Sequence, residues 1–202
     1  MRTIAIGGNS RSVGKTSLAV SIIGATRDLD WTAVKMTQFG HGICSRDGRP
    51  CGCAVEDPLC PYEISEEHGE IPTTDTARML AAGASEVLWV RTALGRLEAA
   101  LPAIRQRLEG KRHVLFESTS LVGHWPPDVF LAVLDYQNLD IKESVIRLAP
   151  AADAFILPRT EHEHPPWPEF DATLVEQKPI FTVSPPSYCT PEIIEFAKRH
   201  LH

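Results

Sequence analysis

Residues 3–17, TIAIGGNSRSVGKTS, decide the fold of this chain. A short apolar run from Thr3 to Ile6 is typical of a buried strand, and the seven residues after it are small or polar. Gly14-Lys15-Thr16 then opens the helical pattern SLAVSIIGATR. Consecutive backbone N–H groups in such a loop, at the start of a helix, form a nest for phosphate oxygens. The stretch therefore predicts a phosphate-binding loop between a strand and a helix.

The loop supplies the first set of candidate site residues. We predict that these ten residues bind nucleotide: Gly8, Asn9, Ser10, Arg11, Ser12, Val13, Gly14, Lys15, Thr16 and Ser17. Lys15 is expected to reach the terminal phosphates, and the Thr16 hydroxyl to bind Mg²⁺. The pattern G-x-x-x-x-G-K-[ST] has its first glycine where this chain has Asn9. Because asparagine tolerates left-handed backbone, we expect Asn9 to replace that glycine. A chance GKT in an ordinary strand-to-helix turn is the alternative.

The composition is that of an ordinary globular protein. Of the 202 residues, 43% are hydrophobic and 23% are charged, and the formal net charge is -6. This length is typical of a single domain, residues 1–202, and the negative charge argues against broad nucleic-acid binding. No apolar run approaches the ~20 residues of a membrane-spanning helix, and the N-terminus has no signal-peptide pattern. We therefore expect a cytoplasmic protein with no nucleic-acid and no membrane partner.

Short apolar runs alternate with helical patterns along most of the chain. Strands are predicted at Thr3–Gly7, Thr32–Met36, Glu86–Arg91, His113–Glu117, Val129–Leu134, Ala154–Leu157 and Ile180–Val183. Helices are predicted at Lys15–Arg27, Asp75–Ala82, Leu94–Glu109, Ile141–Leu148 and Pro191–His200. This alternation predicts an α/β protein with a three-layer P-loop NTPase fold and a mostly parallel sheet. A cysteine-rich insertion at about residues 38–74 interrupts the pattern.

Three charged residues outside the loop are candidates for catalysis, because ligands of such sheets bind at the carboxyl ends of the strands. Lys35 and Glu117 each end a predicted strand, and Asp75 begins a predicted helix. Glu117 is expected to hold Mg²⁺ or a catalytic water, while Lys35 and Asp75 face the phosphates or a second substrate. A solvated strand-end acid is the alternative for Glu117, and a helix N-cap, which Thr73 or Thr74 could also fill, is the alternative for Asp75. The predicted catalytic set is Lys15, Lys35, Asp75 and Glu117.

The order of these segments resembles a known family. After the phosphate loop come AVKMT at 33–37, TDTARMLAAGA at 74–84 and VLFEST at 114–119. This order is similar to that of molybdopterin-guanine dinucleotide biosynthesis protein B, over roughly residues 2–160. That family belongs to the SIMIBI class of P-loop proteins, and the resemblance implies nucleotide binding in cofactor biosynthesis. The histidine-rich segment of the family is missing here, and Ser118 stands where the family has glycine after its acid.

Dethiobiotin synthetase, of the same class, is also similar in part. Its loop, G-T-D-T-G-V-G-K-T, aligns without a gap with residues 8–16, and its later lysine and acid fall on Lys35 and Glu117. Many GTP-binding relatives read guanine with an Asn, a Lys and an Asp, which are Pro158, Arg159 and Glu161 here. The resemblance therefore leaves ATP and GTP both open.

The insertion contains four cysteines within 17 residues, spaced C-x₆-C-x-C-x₆-C. Cys44, Cys51, Cys53 and Cys60 stand among small, charged and turn-forming residues, which offer little apolar surface to bury. Four thiolates on Zn²⁺ or an iron–sulfur cluster would stabilise such a loop. Free thiols and two disulfides are the alternatives, and disulfides are rare in the cytosol. Two histidines could replace a cysteine as ligand: His41 and His68.

Three functions remain open from the sequence. The first is Mg²⁺-dependent hydrolysis of, or phosphoryl transfer from, ATP or GTP. The second is an ATP-dependent ligase or kinase resembling dethiobiotin synthetase, with Lys35 contacting an acidic substrate. The third is a non-catalytic, nucleotide-gated adaptor that carries a metal or cluster or docks on a cofactor-assembly protein. A homodimer is compatible with each.

Overall fold

The structure, a computed structural model, describes residues 1–40 and 61–201. Its strands are β1 Arg2–Gly8, β2 Trp31–Phe39, β3 Tyr62–Glu66, β4 Glu86–Ala93, β5 His113–Glu117, β6 Val129–Val133, β7 Ala154–Pro158 and β8 Ile180–Val183. Its helices are α1 Lys15–Ala25, α2 Asp75–Ala82, α3 Leu97–Arg107, α4 Glu143–Leu148, α5 Thr173–Glu176 and α6 Pro191–Leu201.

The eight strands form one sheet in the order β3-β4-β2-β5-β1-β6-β7-β8. All neighbouring strands are parallel except the edge pair β3 and β4. The connection after β1 runs to one side of it, toward β2, whereas β6 lies on its other side. The chain therefore changes direction beside β1, which is where open α/β sheets bind their ligands.

Helices cover both faces of the sheet, and the alternation of side chains along β1 shows how. Ile4 and Ile6 belong to a core that includes Leu18 of α1 and Ile193 of α6. Ala5, between them, belongs to a second core that includes Ile104 of α3. Since successive strand residues point to opposite faces, the two cores make three layers. The predicted three-layer α/β fold with a mostly parallel sheet is confirmed.

All seven predicted strands are present, and the differences between the predicted and observed strands lie in the insertion and at strand ends. No strand is predicted within residues 38–74, but β3 lies there and pairs with β4 in antiparallel register. β2 was predicted to end at Met36 and continues to Phe39, because each of its residues from Thr32 onward pairs with β4. The four cysteines of the insertion lie outside the described residues, so their metal site stays a prediction.

Across residues 1–40 and 61–201, no helix combines the length and the apolar character that crossing a bilayer requires.

Candidate functional site

A cavity of about 1290 Å³ opens at the carboxyl ends of the central strands. Its wall includes six of the ten predicted loop residues: Arg11, Ser12, Gly14, Lys15, Thr16 and Ser17. It also includes the other three predicted catalytic residues: Lys35, Asp75 and Glu117. Four loop residues are not part of this wall: Gly8, Asn9, Ser10 and Val13. The candidate site residues thus converge on one cavity, with part of the loop behind it.

The phosphate loop turns sharply into α1 at Gly14. Gly14 has a φ of 97°, in the left-handed region, and its carbonyl accepts the first helical hydrogen bond, from Leu18 N at 2.9 Å. A side chain at this position would collide with Tyr188, because an added Cβ would lie 1.9 Å from Tyr188 Cε1. Lys15 folds back over the loop and donates to the Ser10 carbonyl at 2.6 Å. Only glycine satisfies both the backbone and the contact at position 14.

The expectation that Asn9 replaces a glycine through left-handed backbone is wrong. Among the described non-glycine residues, positive φ occurs only at Ser12 and Asp30. Asn9 is instead fully buried and uses its side chain, which accepts from Asp135 N at 2.9 Å and donates to the Asp140 carbonyl at 3.1 Å. The asparagine therefore ties the loop to the segment that follows β6.

Lys35 connects three oxygen-bearing side chains behind the phosphate loop. Its Nζ lies 2.7 Å from Asp75 Oδ2, 2.9 Å from Glu117 Oε1 and 3.4 Å from Thr16 Oγ1. The Thr16 hydroxyl in turn donates to Glu117 Oε2 at 2.8 Å. Strand register explains part of this arrangement, because Lys35 of β2 lies directly opposite Glu117 of β5. Lys35 stands in the middle of β2 and not at its end, as the sequence analysis had placed it.

Neither alternative for the two acids fits the structure. Glu117 is only 5% exposed and is bonded to Thr16 and Lys35, so it is not a solvated strand-end acid. The N-cap of α2 is Thr74, whose hydroxyl accepts from Ala77 N at 3.1 Å. The Asp75 carboxylate instead forms an ion pair with Lys35.

The charges of the site act strongly on one another. Burial alone would raise the pKa of Asp75, but the charge and hydrogen bond of Lys35 outweigh it and hold that pKa below its ordinary value. Burial would likewise lower the pKa of Lys35, whereas Glu117 and Asp75 raise it. For Lys15, burial and then the positive charge of Lys142 lower the pKa to about 8. Lys35 is therefore a firmly charged counter-ion, and Lys15 is the more easily deprotonated lysine.

The donor set fits a hard divalent cation. One hydroxyl and two carboxylates converge, from Thr16, Asp75 and Glu117, and Mg²⁺ prefers oxygen ligands of this kind. The Lys35 ammonium already contacts all three groups, which shows that they can surround a positive charge. Within residues 1–40 and 61–201, no group of three or more His, Cys, Asp or Glu side chains is placed to hold a metal ion, and the two carboxylates and one hydroxyl here fall short of that number.

Three residues at this site are not among those predicted from the sequence. Thr119 accepts a hydrogen bond from Gly8 N at 3.1 Å, while Lys142 and Tyr188 line the cavity. Each follows the carboxyl end of a parallel strand, namely β5, β6 and β8. That position was the available signal, because binding residues of parallel sheets collect there. Lys142 and Tyr188 stand too far after their strands for residue spacing to find them.

Comparison with known proteins adds similarity of fold. No protein-family model matches the sequence, and no curated protein matches it. Among solved structures, the chain is similar to LpxK from Aquifex aeolicus in complex with ATP, at 18% identity and a TM-score of 0.46, over 90% of this chain and 53% of that one. The chain thus spans about half the length of LpxK.

Two further solved structures cover the whole fold. HypB from Helicobacter pylori in complex with nickel is 15% identical, with a TM-score of 0.49, over 100% of this chain and 85% of that one. The MinC:MinD cell division protein complex of Aquifex aeolicus is 17% identical, with a TM-score of 0.48, over 99% of this chain and 86% of that one. Similarity at this level carries no functional conclusion.

The fold class follows from the structure itself. A P-loop NTPase fold is defined by the sheet order, the loop before α1, and the lysine and threonine at the start of that helix.

Proposed function

We propose that this chain is a nucleoside-triphosphate-binding protein of the SIMIBI class that hydrolyses ATP or GTP or transfers its terminal phosphoryl group. The observation that carries this proposal is the convergence of Lys15, Thr16, Lys35, Asp75 and Glu117 on one cavity. The lysines supply the positive charge that a polyphosphate needs, and the loop amides supply its hydrogen-bond donors.

In this proposal the chain's own groups divide the work. Lys15 leaves the Ser10 carbonyl and binds the terminal phosphates. Its side chain already lies over the loop, where it contacts Ser10. Glu117, oriented by Thr16 and Lys35, accepts a hydrogen bond from the attacking nucleophile. Lys35 pairs with Glu117 and also faces the phosphates. Thr16 and Glu117 would hold Mg²⁺, which when bound supplies charge neutralisation at the transferring phosphoryl group.

The size of the cavity supports transfer to a second substrate alongside simple hydrolysis. Small-molecule sites occupy roughly 300–1,000 Å³, and the volume here is about 1290 Å³. A ligase or kinase reaction of the kind that dethiobiotin synthetase performs is therefore a second candidate. In that case product would form only when a small acid accompanies the nucleotide.

The experiment combines binding and turnover in two variants. Labelled ATP and GTP are titrated into the wild type and into Lys15→Ala, and phosphate release is followed with Mg²⁺. We expect Lys15→Ala to weaken binding by about a hundredfold, because a charge-assisted contact to phosphate is lost. Glu117→Gln should keep affinity within about tenfold and lower turnover by ~10² or more.

A matched control is Lys198→Ala. Lys198 lies on α6, pairs with no acid other than Glu195 in the described part of the chain, and is not part of the cavity wall. Its removal changes the net charge equally and should leave both affinity and turnover unchanged. Binding of no nucleotide by the wild type, or wild-type affinity in Lys15→Ala, would overturn the proposal. Tight binding with negligible turnover would instead favour the nucleotide-gated adaptor.

A further inference from the structure

The cavity carries more positive than negative groups, and Lys142 is among the cations that have no role so far. Six cationic residues line it: Arg11, Lys15, Lys35, Arg78, Lys142 and Arg147. Four acids line it as well: Asp75, Glu98, Glu117 and Glu143. Asp75 and Glu117 are engaged by Lys35 and Arg78. Among the described residues, Lys142 Nζ has no hydrogen-bond or ion-pair partner. The unneutralised charge of the cavity therefore suits a polyanion.

The position of Lys142 is fixed by Asn9, the residue that departs from the usual loop motif. The Lys142 backbone N–H donates to the Asn9 carbonyl at 2.9 Å. The Asn9 side chain holds the preceding segment at both ends, through Asp135 N at 2.9 Å and the carbonyl of Asp140 at 3.1 Å. Asn9 N also donates to the Val133 carbonyl at 3.1 Å. Residues 133–142 are thus bonded to one buried loop residue along their length.

This arrangement brings Lys142 close to the phosphate-binding lysine. After burial, Lys142 exerts the largest effect of any charged group on Lys15 and lowers the pKa of Lys15. Lys142 itself is exposed to the cavity, yet crowding by the surrounding protein and the charge of Arg11 lower its pKa below the ordinary value. Three cations held together against their mutual repulsion cost free energy, which a bound polyphosphate recovers.

We propose that Lys142 is a further phosphate-binding lysine beside Lys15, and that Asn9 stands at the first-glycine position of the loop in order to hold Lys142 against the phosphates. The inference rests on the proposed function, because it names a further group that binds the same nucleotide. Its ligand chemistry is the polyphosphate and not the base or ribose. Glycine at position 9 would keep the two backbone hydrogen bonds, to Val133 and Lys142, but has no side chain to bond Asp135 and Asp140. A standard loop therefore holds this segment by fewer contacts.

The test measures affinity for two probes, labelled ATP and inorganic triphosphate, the latter by competition. Lys142→Met keeps the side-chain length and removes the charge. This variant should bind both probes about tenfold or more weakly, since a charge-assisted contact is lost. Lys142→Arg should retain most of the affinity, and Lys198→Ala, a distant loss of one charge, should retain all of it.

A double-mutant cycle tests the role of Asn9. Asn9→Ala alone should weaken binding of both probes, because residues 135–140 lose their side-chain hydrogen bonds to position 9 and hold Lys142 less firmly. Asn9→Ala in the Lys142→Met background should have a much smaller effect, because the lysine that the asparagine positions is already gone. A purely structural role of Asn9 would give additive losses instead.

The outcomes separate the two proposals. If the wild type binds neither probe, both proposals fail. If Lys15→Ala abolishes binding while Lys142→Met binds as the wild type does, the proposed function stands and this inference is wrong. A loss for ATP without a loss for inorganic triphosphate would assign Lys142 to the nucleoside and would also overturn it, as would an additive cycle.

Discussion

Lys35 Nζ lies 2.9 Å from Glu117 Oε1, and the two residues face each other in register across β2 and β5. Their side chains are 13% and 5% exposed, so this is a buried ion pair at the floor of the cavity. A second carboxylate, that of Asp75, shares the same ammonium at 2.7 Å. One buried cation therefore compensates two acids, and the site depends on it for stability as well as for chemistry.

Lys35→Met should destabilise the protein, because it removes the cation that pairs with the buried Glu117 carboxyl group. Breaking a buried ion pair by removing one partner costs about 3–5 kcal/mol, and thermal or denaturant unfolding at pH 7 measures it. We expect Mg²⁺ to raise the unfolding temperature of this variant more than that of the wild type, since a divalent cation can replace the lost charge.

Lys198→Met is the matched control for that measurement. Lys198 faces Glu195 at 3.9 Å, and Glu195 is 70% exposed, so the loss should stay below about 1 kcal/mol. A Lys35→Met protein as stable as the wild type would show that Asp75 and Glu117 need no counter-ion.

Nucleotide affinity should fall above pH 8. The free protein loses the Lys15 proton at a pKa of about 8, and a bound phosphate requires the charged lysine. Below that pKa no proton needs to be taken up, so affinity is flat. Above the pKa of Lys15, affinity falls as the pH rises. At pH 9 binding should be about tenfold weaker than at pH 7. Titrations of labelled nucleotide across this range measure the effect.

Lys15→Arg separates Lys15 from other groups in the pH experiment. Arginine stays protonated throughout this range, so the affinity of the variant should be nearly independent of pH. A fall of equal size in Lys15→Arg would assign the titration to a different group.

Gly14→Ala should destabilise the protein by more than backbone strain explains. Left-handed backbone costs an alanine about 1–2 kcal/mol, and the new Cβ would in addition displace Tyr188. Gly110→Ala is the control, because Gly110 has a φ of 78° with open space around it. Adding Tyr188→Ala to Gly14→Ala should recover the excess loss in unfolding free energy. Equal losses in the two single variants would contradict this account.

The cysteines of the insertion should bind one metal ion or cluster per chain. Burial alone cannot offset the ordering of about thirty residues at ~1–2 kcal/mol each, whereas four thiolates on Zn²⁺ contribute on the order of 10 kcal/mol. Elemental analysis of protein purified anaerobically should find Zn or Fe, and Cys53→Ser should lose it. Cys189 is a free cysteine outside the insertion, so the Cys189→Ser variant should keep the metal. If the wild-type protein contains no metal, this prediction is wrong, and free thiols or disulfides are the remaining alternatives for the four cysteines.

Much of the site could be predicted because its residues stand next to recognisable elements. Lys15 and Thr16 belong to a local motif, and Glu117 ends an apolar strand, so spacing alone located them. Lys142 and Tyr188 could not be found in this way. Each lies several residues beyond its strand, and only the packing of β6 and β8 on one side of β1 brings them to the phosphate loop.

The sequence by itself determined the α/β alternation, the seven strands that it predicted and the phosphate loop, since these depend on hydrophobic periodicity and local backbone preferences. Tertiary structure decided what the polar residues do. Lys35 becomes the counter-ion of Glu117 through the register of β2 and β5, and Asn9 becomes a clamp on residues 133–142. Such contacts join positions about 80 to 130 residues apart in the chain, and no local pattern encodes them.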